Sequence, residues 1–225
     1  CNIQCRHCLF ACSADRPDMV MSPQQCAADL AALRATGRVV HIAGGEPMVY
    51  WEELARAIRQ SAQNGAPPHF VETNCSFAVN DRTVRRRFHF MAANGVRGIY
   101  ASADPYHQEF VPPENFLRVR RFARDIFGEE NFYGSSAAEE QIREQTGLTG
   151  RKEELQQYVR SHPPAMVGSA RESLAAYLDH YSPDDRDLPA RGWGGQSDAS
   201  RCEGEFRAES MWEMHLDPYG NILTN

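Results

Sequence analysis

Four thiols lie within the first twelve residues, Cys1, Cys5, Cys8 and Cys12, and the first three follow the spacing C-x3-C-x2-C in "CNIQCRHC". Thiols this dense bind metal or carry out redox chemistry where the surroundings are reducing. Seven cysteines in 225 residues, spread this unevenly, do not make the framework of a disulfide-stapled secreted domain. A structural zinc or a simple iron–sulfur electron carrier takes four protein ligands, which closes the metal off. Three thiolates on a [4Fe-4S] cluster instead leave one iron open to a further ligand. A single loop with these spacings can wrap three corners of a cuboidal cluster, and His7 is placed to pack a ring beside it. Recruiting Cys12 as well would make a closed four-thiolate centre that transfers electrons. A structural zinc module is the third reading.

Such a loop needs a scaffold, and the chain after it supplies one in regular units. "SPQQCAADLAALRATG" carries a helix, with Ser22 as its cap, Pro23 at the first helical position, Gln25 completing a capping box and Gly37 as the stop. Val39, Val40 and Ile42 make a short apolar strand that breaks at Gly44-Gly45. A helix follows from about Trp51 to Asn64, then the strand "HFVETN", a helix from Asp81 to Asn94, the strand "RGIYAS", and an arginine-rich helix from Glu114 to Phe127. Short apolar strands that alternate with helices point to βαβ units and a parallel sheet covered by helices. Beyond Glu129 the pattern loosens. Residues 137–145 and 152–160 read as helical, Met166-Val167 as a further strand and 172–179 as a short helix. "YSPDDRDLPARGWGGQSDAS" reads as an extended connection, and the end of the chain as a β-hairpin turning at residues 217–220.

Composition sets the outer bounds. With 42% apolar and 24% charged residues the chain is globular, and no apolar run approaches the roughly 18 residues of a membrane span. No basic-then-apolar leader opens it, so the expected location is cytoplasmic. The net charge of -6 disfavours a nucleic-acid partner, with Arg85, Arg86 and Arg87 left as local candidates for phosphate contacts.

"CNIQCRHC" resembles the C-x3-C-x2-C signature of the radical S-adenosylmethionine (SAM) superfamily. Three further stretches strengthen the resemblance, each at the end of an expected strand: "AGGEP" at 43–47, "ETN" at 72–74 and "SADPYH" at 102–107. In a parallel α/β barrel the active site sits at that end of the strands. The resemblance implies a partial (β/α)6 TIM-like barrel over residues 1–180, its first strand upstream of residue 1. It implies a [4Fe-4S] cluster on Cys1, Cys5 and Cys8, with SAM on the open iron. In such enzymes the reduced cluster cleaves SAM to a 5'-deoxyadenosyl radical that takes hydrogen from the substrate. Gly44, Gly45, Glu46 and Pro47 are expected at the methionyl group, Glu46 accepting from its ammonium. Thr73, Asn74, Ser102 and Asp104 are the other candidate cofactor contacts. Cys75, Tyr106, His107, Gln108 and Glu109 are candidates for the substrate pocket. Cys75 stands where the superfamily usually has glycine, which would place a thiol near the mouth of the site. Cys26 reads as a small buried hydrophobe.

The tail "RCEGEF…MHLDPYGNILTN" resembles the start of the auxiliary-cluster extensions called twitch and SPASM domains. The chain therefore divides into 1–180, the barrel, and 181–225, a connection and the start of such an extension. On this reading Cys202 is a ligand of an auxiliary [4Fe-4S] or [2Fe-2S] cluster whose other ligands lie past Asn225. The expected activity is oxidative modification of a ribosomally made peptide, with a small-molecule substrate as the alternative. The expected partner is an electron donor such as flavodoxin or ferredoxin, with neither nucleic acid nor membrane involved.

Overall fold

The computed structural model describes residues 1–16, 19–144, 151–164, 166–178, 214–217 and 222–224. Its scaffold begins with α1 (Pro23–Ala35), where Ser22 Oγ accepts from the Gln25 N–H at 3.1 Å. The Gln25 side chain donates to Asp29 at 2.7 Å and does not return to Ser22, so the expected capping box is only half formed. α2 (Trp51–Gln63) packs on α1. After it come β1 (Phe70–Thr73), α3 (Asp81–Ala93), β2 (Gly98–Ala101), the single turn α4 (Pro105–Gln108), α5 (Pro113–Phe127) and β3 (Phe132–Gly134). Asn80 caps α3, accepting from the Thr83 N–H at 2.9 Å.

The three strands form one parallel sheet in the order β1-β2-β3. The predicted strand at 39–42 lies alongside β1 but contributes only the bridge Ile42↔Val71. Its backbone still bonds to β1: the His69 N–H donates to Val40 O at 2.8 Å, and the Glu72 N–H to Ile42 O at 2.9 Å. Gly44 and Gly45, at φ 80° and 54°, turn the chain away before a ladder can extend. The described residues therefore hold a three-stranded parallel α/β sheet with one added bridge, consistent with a partial radical-SAM-type barrel. β3 was not legible in the sequence, and Met166-Val167 is a bend instead of a strand.

Alternation along the strands gives the sheet two unlike faces. Val71 and Ile99 are fully buried and face a core built from Ile58, Val84, Phe88, Met91 and Val119. The other parity puts Glu72, Tyr100 and Tyr133 in one register row. Later elements are α6 (Glu139–Glu144), α7 (Lys152–Ser161) and α8 (Ser169–Ser173), the last followed by a 3-10 turn at Ala175–Tyr177 in place of a helix over 172–179. Met214–Leu216 (β4) pairs antiparallel with Ile222–Thr224 (β5). The connection at 181–213 and Cys202 lie outside the described residues. Among those described, no helix is long and apolar enough to cross a membrane.

Phe88 sits at the centre of the core, its ring 6.2 Å from Phe77 and 5.6 Å from Phe127. Phe88→Ala is expected to cost about 3–5 kcal/mol in denaturant unfolding, whereas truncating its exposed neighbour His89 should stay within about 0.5 kcal/mol.

Candidate active site

The cysteine loop is folded on itself and pinned at three places. Its own turns come first: the Cys8 N–H donates to Cys5 O and the Ala11 N–H to Cys8 O, both at 3.2 Å. At the front, Gly45 lies so close to Cys1 that a Cβ there would stand 3.2 Å from the Cys1 nitrogen. On the flank, Asn74 Nδ2 points to Cys1 Sγ at 3.9 Å and to Asn2 Oδ1 at 3.1 Å. From behind, the Ser169 N–H donates to Cys8 O at 2.9 Å, and a Cβ on Gly168 would collide with the carbonyl oxygens of Cys8 and Leu9. Gly168 carries no sequence signal; only the packing of α8 on the loop reveals it.

Cys12 stands against Cys8, not opposite it. Its N–H donates to Cys8 Sγ at 3.3 Å. The hydrogen bond from the Cys12 thiol, with the N–H groups of Cys12 and Phe10, holds the Cys8 thiol well below its ordinary range, against the effect of burial. The same thiol-to-thiol bond pushes Cys12 upward, as burial does. Cys5 is raised chiefly by burial. Among the described residues the side chains that bring three candidate ligand atoms within 4.8 Å of one another are His7, Asp104 and His107. The thiols of the loop form no set that tight, which a single tetrahedral zinc with its Zn–S bonds of about 2.3 Å would require.

The Gly-Gly-Glu-Pro turn is welded to the end of β1 by Glu46. Its carboxylate is 3% exposed and accepts from the Met48 N–H (3.0 Å), the Thr73 hydroxyl (2.9 Å) and the Asn74 N–H (2.6 Å). Three of its roughly four acceptor positions are thus taken by the chain itself. Burial nevertheless outweighs the donors and lifts its pKa to about 7. Pro47 opens the 3-10 turn Pro47–Tyr50 that Glu46 caps, and the Ser102 N–H continues the ladder to Thr73 O at 3.0 Å.

Cys75 is fully buried, so its thiol is not at the mouth of the site as the sequence suggested. Its backbone is left-handed, φ 67°, the conformation for which glycine would be the ordinary choice. Burial pushes its thiol up, and the negative charge of Glu46 adds to this.

The "SADPYH" segment builds a half-buried polar cluster beside Cys5 and Cys8. Asp104 caps α4, accepting from the Tyr106 and His107 N–H groups, and its other oxygen meets His107 Nδ1 at 2.5 Å and His7 Nε2 at 3.6 Å. Burial raises the Asp104 carboxyl, but the bond and charge of His107 and the charge of His7 outweigh it and hold it low. His7 stacks on Tyr106 with ring centroids 4.5 Å apart. Of the pocket candidates, Glu109 is spent on Arg6 at 3.1 Å, with its side chain 3% exposed, and Gln108 Nε2 donates to Ile142 O. Glu109 therefore braces the cysteine loop, and Gln108 ties α4 to α6. Arg87 is likewise no phosphate contact: it donates to Met48 O and lies over Trp51 at 4.7 Å. Arg6, Asn2 and Gly168 are positioning residues that sequence reasoning missed, because each is defined by a partner distant in the chain.

A second missed feature is the open face of the sheet. His41 stacks on Phe70 at 4.4 Å, Phe70 lies 5.3 Å from Tyr133, and His41 Nε2 meets Glu72 at 3.0 Å. Tyr100 and Tyr133 are each 43% exposed. The alternation of Phe70 with Glu72 carried a signal, but only the register unites it with Tyr100 and Tyr133.

The residues fit a cluster and a bound nucleoside. His7 Nδ1 and the Tyr106 hydroxyl are buried without a partner among the described residues, and the Gly44-Gly45 backbone is exposed beside Cys1. A thiol-rich loop pinned at three places, at the C-terminal end of a parallel α/β sheet, is suited to hold an iron–sulfur cluster. The family model of the Radical SAM superfamily matches residues 1–130, and the chain belongs to that superfamily. Its members are enzymes, and membership carries with it a [4Fe-4S] cluster, SAM and radical chemistry. No curated protein matches the chain.

Cys8→Ala should abolish the visible absorbance of the reconstituted cluster, while Cys12→Ala should retain it. For Glu46, the folded chain holds the proton more tightly than the unfolded one, whose pKa is near the ordinary 4.5. The stability this gives is full below 4.5 and is lost as pH rises through 7. Glu46→Gln, which cannot titrate, should therefore fall further below the wild type at low pH than at neutral pH. The gap in unfolding free energy is expected to narrow by about 3 kcal/mol at most.

Proposed function

We propose that this chain is the catalytic core of a radical SAM oxidoreductase that modifies a ribosomally made peptide. When bound, the cluster and SAM supply a 5'-deoxyadenosyl radical that abstracts hydrogen. The chain's own part is to hold and to screen. Cys1, Cys5 and Cys8 take three irons, and Cys12 donates to the sulfur of Cys8 without filling a fourth position. Gly44 and Gly45 let the methionyl group approach the backbone, and Ser102 offers a hydroxyl at the end of β2, while Asn74, spent on Asn2, Cys1 and Ser76, positions the first thiol. His7 and Tyr106 present flat surfaces and unpaired polar atoms beside the thiols. Asp104 and His107 hold His7 in its orientation.

The observation that carries the substrate class is the row of Phe70, Glu72, Tyr100 and Tyr133 on the open face of the sheet. A broad aromatic surface with one carboxylate suits a peptide's side chains better than a small polar metabolite, which needs many convergent hydrogen bonds. The likeness of the tail to auxiliary-cluster extensions, with Cys202 as a ligand, points the same way. On this reading residues 181–225 begin a second unit.

Reconstituted anaerobically and reduced with dithionite, the protein should convert SAM to 5'-deoxyadenosine, detected by liquid chromatography. Cys1→Ala, Cys5→Ala and Cys8→Ala should each lose it. Given extracts of fully deuterated cells separated by size, the enzyme should place deuterium in 5'-deoxyadenosine from the peptide fraction. Label arriving only from the small-metabolite fraction would replace the peptide by a metabolite.

A further inference from the structure

The outer surface of α3 and α5 is basic in a chain whose net charge is -6. Arg82, Arg85 and Arg86 of α3 stand with Arg118 and Arg121 of α5, and two of the five share one carboxylate. That carboxylate, Asp81, pairs with Arg118 at 2.9 Å and Arg121 at 2.7 Å. Arg85 and Arg121 approach the same Phe122 ring, at 5.3 and 4.7 Å, which draws the two helices' charges together. Arg82 and Arg86 are exposed neighbours one turn apart and have no ion pair among the described residues. Packing does not explain them, since both side chains stand in solvent.

The patch is wired to the cysteine loop. Arg118 Nη1 donates to Ala78 O, and Ala78 belongs to the loop 74–80 between β1 and α3. At its other end that loop reaches Cys1: Asn74 Nδ2 points to Cys1 Sγ, and Ser76 Oγ accepts from Asn2 Nδ2 at 2.9 Å. Val79 projects from the same loop, 67% exposed, as an apolar point beside the arginines. An apolar contact with a charged surround is the usual make-up of a protein-binding face.

We infer that this face docks an acidic one-electron carrier protein that reduces the cluster held by Cys1, Cys5 and Cys8. The inference rests on the cluster-bearing reading above. In the step the carrier loses one electron and the cluster gains it, with no bond made or broken. An acidic protein fits better than a nucleic acid, because the -6 charge of the whole chain repels an extended polyanion while a compact acidic patch meets a local excess of arginines over Asp81.

The test is a charge reversal, Arg82→Glu with Arg86→Glu, two exposed residues outside the site. Reduction by flavodoxin hydroquinone is followed through the bleaching of the cluster's absorbance, and binding of oxidised flavodoxin by calorimetry. The variant should be reduced about tenfold more slowly at low ionic strength, and the wild type should lose this advantage as salt is added. Reduction by dithionite should be unchanged, and flavodoxin binding weakened in step. Equal slowing with both reductants, or no change with flavodoxin, would overturn the docking face. So would a labelled oligonucleotide bound by the wild type and released by the variant. If no 5'-deoxyadenosine forms even with dithionite, the catalytic reading fails, yet calorimetry still decides the docking.

Discussion

The site depends on one buried carboxylate. Glu46 ties the Gly44-Gly45 turn to the end of β1 through Met48, Thr73 and Asn74. Residues 39–42 hold the strand side of the turn to β1 by a few backbone bonds and a single bridge, and Glu46 fixes its far side, past the two glycines. Gly45 in turn sets the place of Cys1, and Asn74 touches Cys1 from the side. The arrangement is costly: an ionised carboxylate loses its water, and three donors worth about 1.5–3 kcal/mol each to a charged group must offset the loss. The raised pKa of Glu46 shows that they do not fully do so. A group held at such expense fixes geometry, and what it fixes is the position of the first thiol relative to the exposed glycine backbone.

Much of this was legible before any coordinates. The thiol spacing, the glycine pair and the "ETN" and "SADPYH" segments each carry residue types whose local chemistry is distinctive, and they fall at strand ends as the βα rhythm requires. Roles were harder to read than membership. The likeness of "AGGEP" to the superfamily's segment points Glu46 at a ligand's ammonium; in the structure its oxygens turn inward to three donors of the chain. Glu109 was placed in a pocket because it neighbours His107, but Arg6, more than a hundred residues away in sequence, takes it. Gly168 and the row of Tyr100 with Tyr133 depend on packing and register, which no local pattern encodes. β3 is three residues long and ends in glycine, too short to show alternation.

Cys75 illustrates how a departure from pattern can be structural. A left-handed backbone costs a residue with a Cβ roughly 1–2 kcal/mol, and glycine would avoid it. The thiol's compensation lies in its surroundings. It is wholly buried, its N–H donates to the Thr73 hydroxyl at 3.0 Å, and its sulfur faces Thr73 O at 3.9 Å. Thr73 thereby serves Glu46 and Cys75 at once, donating its proton to one and accepting from the other. A glycine there would relieve the backbone yet leave a void beside a buried carboxylate, which water could enter. Water at that point would stabilise the ionised form of Glu46 and compete for the hydroxyl of Thr73, loosening the tie to the turn. A small apolar-tolerant side chain keeps the clamp dry, and the same dryness is what raises the carboxyl's pKa. The strain at Cys75 and the tight hold on Glu46 are thus two sides of one packing solution at the end of β1.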